Sequence, residues 1–121
     1  SSSLNNMIMI SELLKQYAPT QALTMKVLEK MGKAVLKKLF QTQKIQSGYY
    51  FDSATLKSFI SILKQNGLLN VQDDHFVLSD DFEEQMSAIF NWYDLNTRQA
   101  IIEALQFNEK ELKQFKPSVK K

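Results

Sequence analysis

Four lysines recur at helical spacing in the second quarter of the chain. Lys26, Lys30, Lys33 and Lys37 are separated by four, three and four residues. At about 100° per residue they fall within roughly a 60° sector of a helix. Four ammonium groups on one side of a helix could follow a row of phosphates as point charges. The same spacing is typical of the solvated face of an amphipathic helix, so both interpretations stay open.

A second polar set lies on the predicted solvent side of a later helix. It contains Lys57, Ser61, Lys64 and Gln65. Lysine, serine and glutamine side chains can meet base edges and phosphates in a duplex groove. Arginine, the commonest specific base reader, is absent from this set, since the chain's only arginine is Arg98. We therefore treat the set as candidate nucleic-acid-binding residues, with an ordinary solvated face as the alternative.

No cluster in the sequence has the composition of a catalytic or metal site. The chain has no cysteine and one histidine, which excludes thiolate nucleophiles, disulfides and zinc ribbons. The run Asp73-Asp74-His75 lies in a predicted polar turn, and its spacing supplies no further ligand. Acids between Asp80 and Glu84 fit the positive end of a helix better than general acid–base catalysis. We expect no catalytic residue, metal or cofactor, and no catalysis by this chain alone.

The elements that carry these residues are predicted to be mainly helices with one small β-hairpin. Only 3 glycines and 2 prolines interrupt the 121 residues. Apolar residues at three-or-four spacing predict five or six helices. Their predicted bounds are 4–17, 21–43 with Thr20 as N-cap, 54–66, a start at 79, 80 or 81 with an end near 93, 97–107 and a last short helix opened by an Asn108–Glu111 capping box. Two apolar runs around residues 72–74 predict the hairpin.

Two glycines have different predicted roles. Gly67 follows Asn66 and is expected to end the third helix, since glycine readily takes the left-handed conformation found there. Gly32 lies inside the second helix, where glycine costs up to about 1 kcal/mol against alanine. We interpret Gly32 as a weak point in that helix that could mark a kink.

Length and composition indicate one domain spanning residues 1–121. Hydrophobic residues make up 44% of the chain, which excludes disorder as the default, and the net charge of +2 dictates neither a nucleic acid nor a membrane partner.

No segment approaches the roughly 20 apolar residues of a membrane helix, so we expect no membrane partner and a cytoplasmic location, or a nuclear one in a eukaryote. Residues 1–6 are expected to be a tag or linker scar and 117–121 a frayed basic tail, with a fragment of a longer protein as an open alternative.

Apolar residues near both ends of the chain predict an interface. Met7, Ile8 and Ile10 make the first helix apolar on nearly all sides, which requires cover from another subunit or a further domain. Trp92 and Tyr93 belong to an aromatic concentration in the last third of the chain. These aromatics could close the core or form an exposed partner surface. We predict that the five residues contact a protein partner or a second copy of the chain.

The run from Leu56 to Ser79 resembles the third helix and wing of a winged helix-turn-helix domain. The matching pattern is an amphipathic helix, then Asn66-Gly67-Leu68-Leu69, a polar turn, and His75-Phe76-Val77-Leu78-Ser79. This resemblance implies a transcription regulator whose third helix docks on duplex DNA. The acidic tip, Asp73-Asp74, would repel a phosphate backbone and favours a wing that binds protein.

A second resemblance is to the winged-helix segment that precedes many S-adenosylmethionine-dependent methyltransferase domains. It is carried by residues 17–32 followed by Leu56 to Leu78. It implies a role in dimerisation or as a lid, without a cofactor site in this chain. The sequence therefore predicts a non-catalytic winged-helix-like module that binds nucleic acid. The alternative is an interaction, dimerisation or lid domain of a larger enzyme such as a methyltransferase.

Overall fold

Helices dominate the architecture, and one hairpin completes it. The computed structural model describes residues 2–42, 44 and 50–116. In this part of the chain the elements are α1 (Ser2–Tyr17), α2 (Met25–Gln41), α3 (Ser53–Gln65), β1 (Leu69–Gln72), β2 (His75–Leu78), α4 (Phe82–Phe90), α5 (Leu95–Ala104) and α6 (Glu109–Phe115). The predicted fold class, a mainly helical chain with five or six helices and one small hairpin, is confirmed. Ser1 and the predicted tail at 117–121 lie outside the described residues.

Helix α1 lies at the centre of the molecule. It packs against α2, α3, α4 and α5. Ile8, Ile10, Leu13 and Leu14 are each at most 1% exposed. A helix that is apolar on nearly all sides is stable only when it is covered on all of them. The chain's own helices supply that cover, and residues 2–6, predicted as a scar, form the first turns of this central helix.

Helix α2 begins four residues later than the sequence predicted. Thr24, rather than Thr20, is its N-cap, and the Thr24 side chain accepts a hydrogen bond from the Val27 N–H at 3.2 Å. The residues before Thr24 do not join the helix, because the carbonyl of the buried Leu23 accepts a hydrogen bond from the Phe76 N–H of β2 at 2.8 Å. The prediction of Thr20 as the cap was wrong because this contact with the hairpin is not visible in local sequence.

The predicted hairpin is confirmed, and the ends of α3 lie within one residue of the predicted ones. Gly67 has a φ of +70° and follows the last turn of α3, as expected for a glycine after a helix C-terminus. Strands β1 and β2 pair antiparallel from Leu69 with Leu78 to Gln72 with His75. Asp73 and Asp74 form the two-residue tip and both have positive φ, which suits the twist of a tight hairpin.

Side chains cap several helix N-termini, although α5 begins at Leu95 rather than at the predicted residue 97, and α4 covers only Phe82–Phe90 of the predicted span that ended near residue 93. Asn108 and Glu111 form the predicted capping box, with N···O distances of 2.8 and 3.1 Å. Asp52 and Asp94 cap α3 and α5, and hydroxyls of Thr55 and Thr97 donate to their carboxylates. These hydrogen bonds lower the pKa of both aspartates. The caps therefore contribute their full stability at pH values above the usual aspartate pKa. That stability is lost as the pH falls through the lowered pKa of the folded chain.

The Tyr17 hydroxyl joins the end of α1 to the connection between α5 and α6. It donates to the Leu105 carbonyl at 2.6 Å and accepts from the Phe107 N–H at 2.9 Å. The Tyr17 ring lies 5.9 Å from the ring of Phe107. Burial raises the pKa of the Tyr17 hydroxyl above its usual value. Both backbone partners are buried, so this single side chain satisfies two polar groups that water cannot reach.

Replacing Tyr17 by phenylalanine is expected to lower the free energy of unfolding by about 1–2 kcal/mol, because two buried backbone groups lose their partner. Urea denaturation of the purified chain measures the change. Tyr50→Phe is the matched control, since the Tyr50 side chain is exposed and its hydroxyl should contribute little. Equal losses for the two variants would contradict the role of the Tyr17 hydroxyl.

Candidate functional surfaces

The four lysines predicted from spacing lie together on the outer side of α2. Lys26, Lys30, Lys33 and Lys37 are all exposed, and we call this set the lysine face. The opposite side of α2 is buried in the core. The lysine face carries one ion pair, in which the Lys33 ammonium lies 3.2 Å from the Glu29 carboxylate one turn earlier. The structure therefore brings the predicted cations onto one surface.

Lys38 neighbours the lysine face but has a structural role. Its ammonium lies 3.3 Å from the Glu111 carboxylate and 4.4 Å from the centre of the Phe107 ring. The Asn108 N–H, and secondarily Lys38, lower the pKa of Glu111 by stabilising its charged form. These contacts tie α2 to α6. Lys38 is thus neutralised within the chain, whereas most of the lysine face points to solvent.

The outer side of α3 carries the second predicted set. Lys57, Ser61, Lys64 and Gln65 are exposed there, so the structure places them on the predicted side. The Lys64 ammonium lies 5.9 Å from the centre of the Phe76 ring on the neighbouring strand. The structure therefore brings the second predicted set together on one surface.

The predicted interface residues are divided between the core and the surface. Ile8 and Ile10 are covered by this chain's own helices and offer no surface to a partner. Met7 and Tyr93 are partly buried. Trp92 is 68% exposed and contacts Tyr93 edge-on at a centroid distance of 6.2 Å. The partner contact predicted for Met7, Trp92 and Tyr93 stays a prediction.

A groove lined mainly by apolar side chains runs between the start of α1, the end of α3 and α4. Its volume is about 650 Å³. Met7, Phe59 and Met86 contribute to its lining, and Ile62, Ile89 and Trp92 stand at its open side, exposed by 51%, 49% and 68%. We call it the apolar groove. Exposed apolar residues that gather around one concavity are typical of a surface that another molecule covers.

A smaller concavity beside the hairpin has mixed charge. Its volume is about 490 Å³, and its lining includes Lys15, His75, Asp80 and Glu83. The His75 Nδ1 lies 3.2 Å from the Asp73 carbonyl within the hairpin tip. In the residues that the structure describes, no three histidine or acidic side chains come together as a metal site would require.

Sequence reasoning missed the buried charge cluster that joins α1 to α5. Glu12 is 6% exposed, and its Oε1 accepts from Arg98 Nη2 at 3.0 Å and from Arg98 Nε at 3.2 Å. The Lys15 ammonium lies 3.1 Å from Glu12 Oε2. The one sequence feature that could have indicated this cluster was Glu12, an acidic residue on the buried side of α1. Glu12 is paired with both cations, and its contact with Arg98 joins α1 to α5.

A protein-family model matches more than half of the chain. The family model described as the glycerol-3-phosphate acyltransferase C-terminal region matches residues 1–72. The matched segment contains the described parts of α1, α2, α3 and β1 and ends at the hairpin tip. Searches of curated proteins and of solved structures gave no significant match.

The family match overturns both resemblances drawn from the sequence. The chain is neither a winged helix-turn-helix protein nor a methyltransferase lid, and the predictions of DNA binding and transcription regulation were wrong. The pattern behind them was an amphipathic helix, a C-terminal glycine and a hairpin. Each of these parts follows from local rules of capping and turn formation, so unrelated folds share the pattern.

Proposed function

Because the chain belongs to the family of glycerol-3-phosphate acyltransferase C-terminal regions, we propose that it forms part of an enzyme that transfers an acyl group to glycerol 3-phosphate. In such a transfer a glycerol hydroxyl attacks the acyl carbonyl. The new ester C–O bond forms as the bond to the donor's leaving group breaks, and the hydroxyl proton ends on that leaving group. The match over residues 1–72 carries the proposal.

The rest of the chain is proposed to belong to the same region. Phe76, Phe82 and Leu105 lie beyond the matched segment, yet they are at most 4% exposed and share one core with α1 and α3. A core built from both parts of the chain would lose much of its burial if either part were absent. We therefore treat residues 1–121 as one domain.

We assign no reacting group of the acyl transfer to this chain. A general base must be free to accept a proton within hydrogen-bond reach of the attacking hydroxyl. The buried Glu12 is held by Arg98 and Lys15, and the buried Tyr17 hydroxyl is held by two backbone groups. These groups stabilise the fold, and the reacting groups are expected elsewhere in the enzyme.

The apolar groove is proposed to contact the catalytic part of the same enzyme. The groove is lined by apolar side chains of three helices, among them Leu4 and Met7 in the first turns of α1. Trp92, which lines the groove, is 68% exposed, and Leu95, three residues later in the chain, is 71% exposed. Burying such side chains in an interface is favourable, and tryptophan is enriched among residues that dominate binding.

Acyl transfer is tested directly with the enzyme that contains this chain and with the chain alone. The assay supplies a long-chain acyl thioester and measures thiol release that depends on glycerol 3-phosphate. The whole enzyme is expected to release thiol and form the ester, and the chain alone to do neither. A whole enzyme without activity on glycerol 3-phosphate would contradict the proposed function, and an active isolated chain would contradict the absence of reacting groups.

The double variant Trp92→Ser/Leu95→Ser is expected to slow acyl transfer by the whole enzyme. Truncating one of the few residues that dominate an interface costs about 2 kcal/mol or more of binding free energy. The isolated variant chain should keep its stability within about 0.5 kcal/mol, because both side chains are exposed in the chain itself. Val71→Ser, at an exposed apolar position on the hairpin, is the control and should leave the rate unchanged. An unaffected rate in the double variant would rule out docking through this surface.

A further inference from the structure

We propose that the apolar groove holds the hydrocarbon chain of the acyl group that the enzyme transfers. The inference rests on the proposed function and deepens it, because acyl transfer needs a place for an apolar chain as well as reacting groups. The catalytic part contacts the open side of the groove, and the acyl chain fills the concavity beneath that contact. The occupant is thus a substrate of the proposed reaction rather than a further protein.

The concavity has the volume of a ligand site. It measures about 650 Å³, and small-molecule sites measure roughly 300–1,000 Å³. A cavity of about 150 Å³ holds a six-carbon ring, so in proportion the groove has room for a chain of about 16 carbons. A protein surface laid across the open side would leave this volume empty, whereas stable interfaces are packed about as densely as protein interiors. A flexible chain beneath the contact fills it.

The groove is about as long as an acyl chain. Its lining includes residues that are spread along α4 from end to end, namely Asp81, Gln85, Met86, Ile89 and Phe90. From Asp81 to Phe90 the helix rises by about 14 Å. An acyl chain spans one half of the hydrocarbon core of a bilayer, or about 15 Å. The chain can therefore lie along α4 without projecting far beyond the groove.

The floor of the groove is apolar and adaptable. Phe59, Leu63 and Phe90 are buried and line it from α3 and α4. Met7 and Met86 add flexible thioethers, which adjust to irregular apolar shapes. These side chains belong to helices packed within the chain, and no helix among the described residues is long and apolar enough to cross a membrane. A bent hydrocarbon chain fits such a floor, because it has no polar group that would need a partner.

The polar lining residues are bonded to neighbours in the chain. The Asn66 amide donates to the Ile62 carbonyl at 2.8 Å, and the Gln85 amide donates to the Asp81 carboxylate at 3.4 Å. The Asp81 carboxylate also accepts from the Ser79 hydroxyl at 2.8 Å. Its negative charge disfavours a phosphate in the groove, so the occupant is the acyl chain rather than glycerol 3-phosphate.

Fluorescence of the purified chain tests the proposal, because Trp92 lines the groove and is the chain's one tryptophan. Trp92 is 68% exposed, so an acyl chain that covers its ring should shift the emission to shorter wavelength. The probes are octanoate, decanoate and dodecanoate. Affinity should rise by up to about fourfold for each added methylene, since each one leaves water for the groove.

A matched pair of variants locates the binding. Ile62 and Val71 are exposed apolar residues, at 51% and 42%, and of the two it is Ile62 that lines the groove. Ile62→Gln should bind dodecanoate roughly fivefold more weakly, because the burial of about half of an isoleucine side chain is lost. Val71→Gln should bind it as the unchanged chain does. The absence of a fluorescence change, equal affinity for the three probes, or equal weakening by the two variants would overturn the proposal.

Kinetics of the whole enzyme separate this inference from the proposed function. Ile62→Gln should lower kcat/KM about fivefold for a hexadecanoyl thioester and by less for an octanoyl thioester, because the shorter chain reaches less of the groove. An equal effect at both lengths would assign Ile62 to docking alone and overturn the inference. Acyl transfer to glycerol 3-phosphate without binding of the probes by the chain removes only this inference, and probe binding without acyl transfer removes only the proposed function.

Discussion

The variant Glu12→Gln is expected to unfold with a free energy about 2–3 kcal/mol lower than that of the unchanged chain. Glutamine keeps the size of the side chain but removes the charge that Arg98 and Lys15 share. Breaking a fully buried ion pair typically costs about 3–5 kcal/mol, because the remaining charge loses both its water and its partner. The expected loss is smaller here, since the side chains of Arg98 and Lys15 are 20% and 30% exposed.

A double-mutant cycle separates the charge effect from packing. Glu12→Leu/Arg98→Met replaces the pair with apolar side chains, so it should recover much of the stability lost by Glu12→Leu alone. Glu29→Gln is the matched control, because it removes the exposed pair with Lys33 and should change stability by less than about 0.5 kcal/mol. Urea denaturation measures these variants together with the single variant Arg98→Met, which completes the cycle. If Glu12→Gln and Glu29→Gln lowered the free energy of unfolding by similar amounts, burial of Glu12 would not increase what its ion pair contributes.

Gly32→Ala is expected to destabilise the chain by about 1–3 kcal/mol, although alanine is the better helix former. A Cβ on Gly32 would lie 2.5 Å from Cδ1 and 2.7 Å from Cζ of Phe51, and closer still to Cε1. Both residues are buried, so the ring must move or α2 must shift. The gain in helix propensity, at most about 1 kcal/mol, is smaller than the expected cost of overpacking.

Removing the ring tests this explanation. In Gly32→Ala/Phe51→Leu the loss should be less than the sum of the two single losses, because the smaller side chain leaves room for the methyl group. Lys33→Ala, at the adjacent exposed position, provides a control for changes within the same turn of α2. Thermal denaturation can compare the variants. If Gly32→Ala raised the stability of the chain, the Phe51 ring would move at little energetic cost and the gain in helix propensity would be the larger effect.

The functional surfaces were predictable to different extents. The lysine face follows from spacing alone, because residues three and four apart share one side of any helix. The apolar groove was not predictable, since it forms between α1, α3 and α4, and only Trp92 and Met7 were named beforehand as interface residues. The family could not be read from local patterns, because a helix, a glycine and a hairpin occur together in many folds.

The sequence by itself determined the features that depend on neighbours along the chain. These are the helical class, the Gly67 helix end, the Asn108–Glu111 box, the hairpin and the outward position of the lysines. The tertiary structure alone decided which charges are buried and which backbone is held out of a helix. Glu12 and Arg98 are 86 residues apart, and Thr24 caps α2 because Leu23 bonds to Phe76 on the hairpin. Local rules act within a turn or two of backbone, whereas such contacts form only when the helices pack.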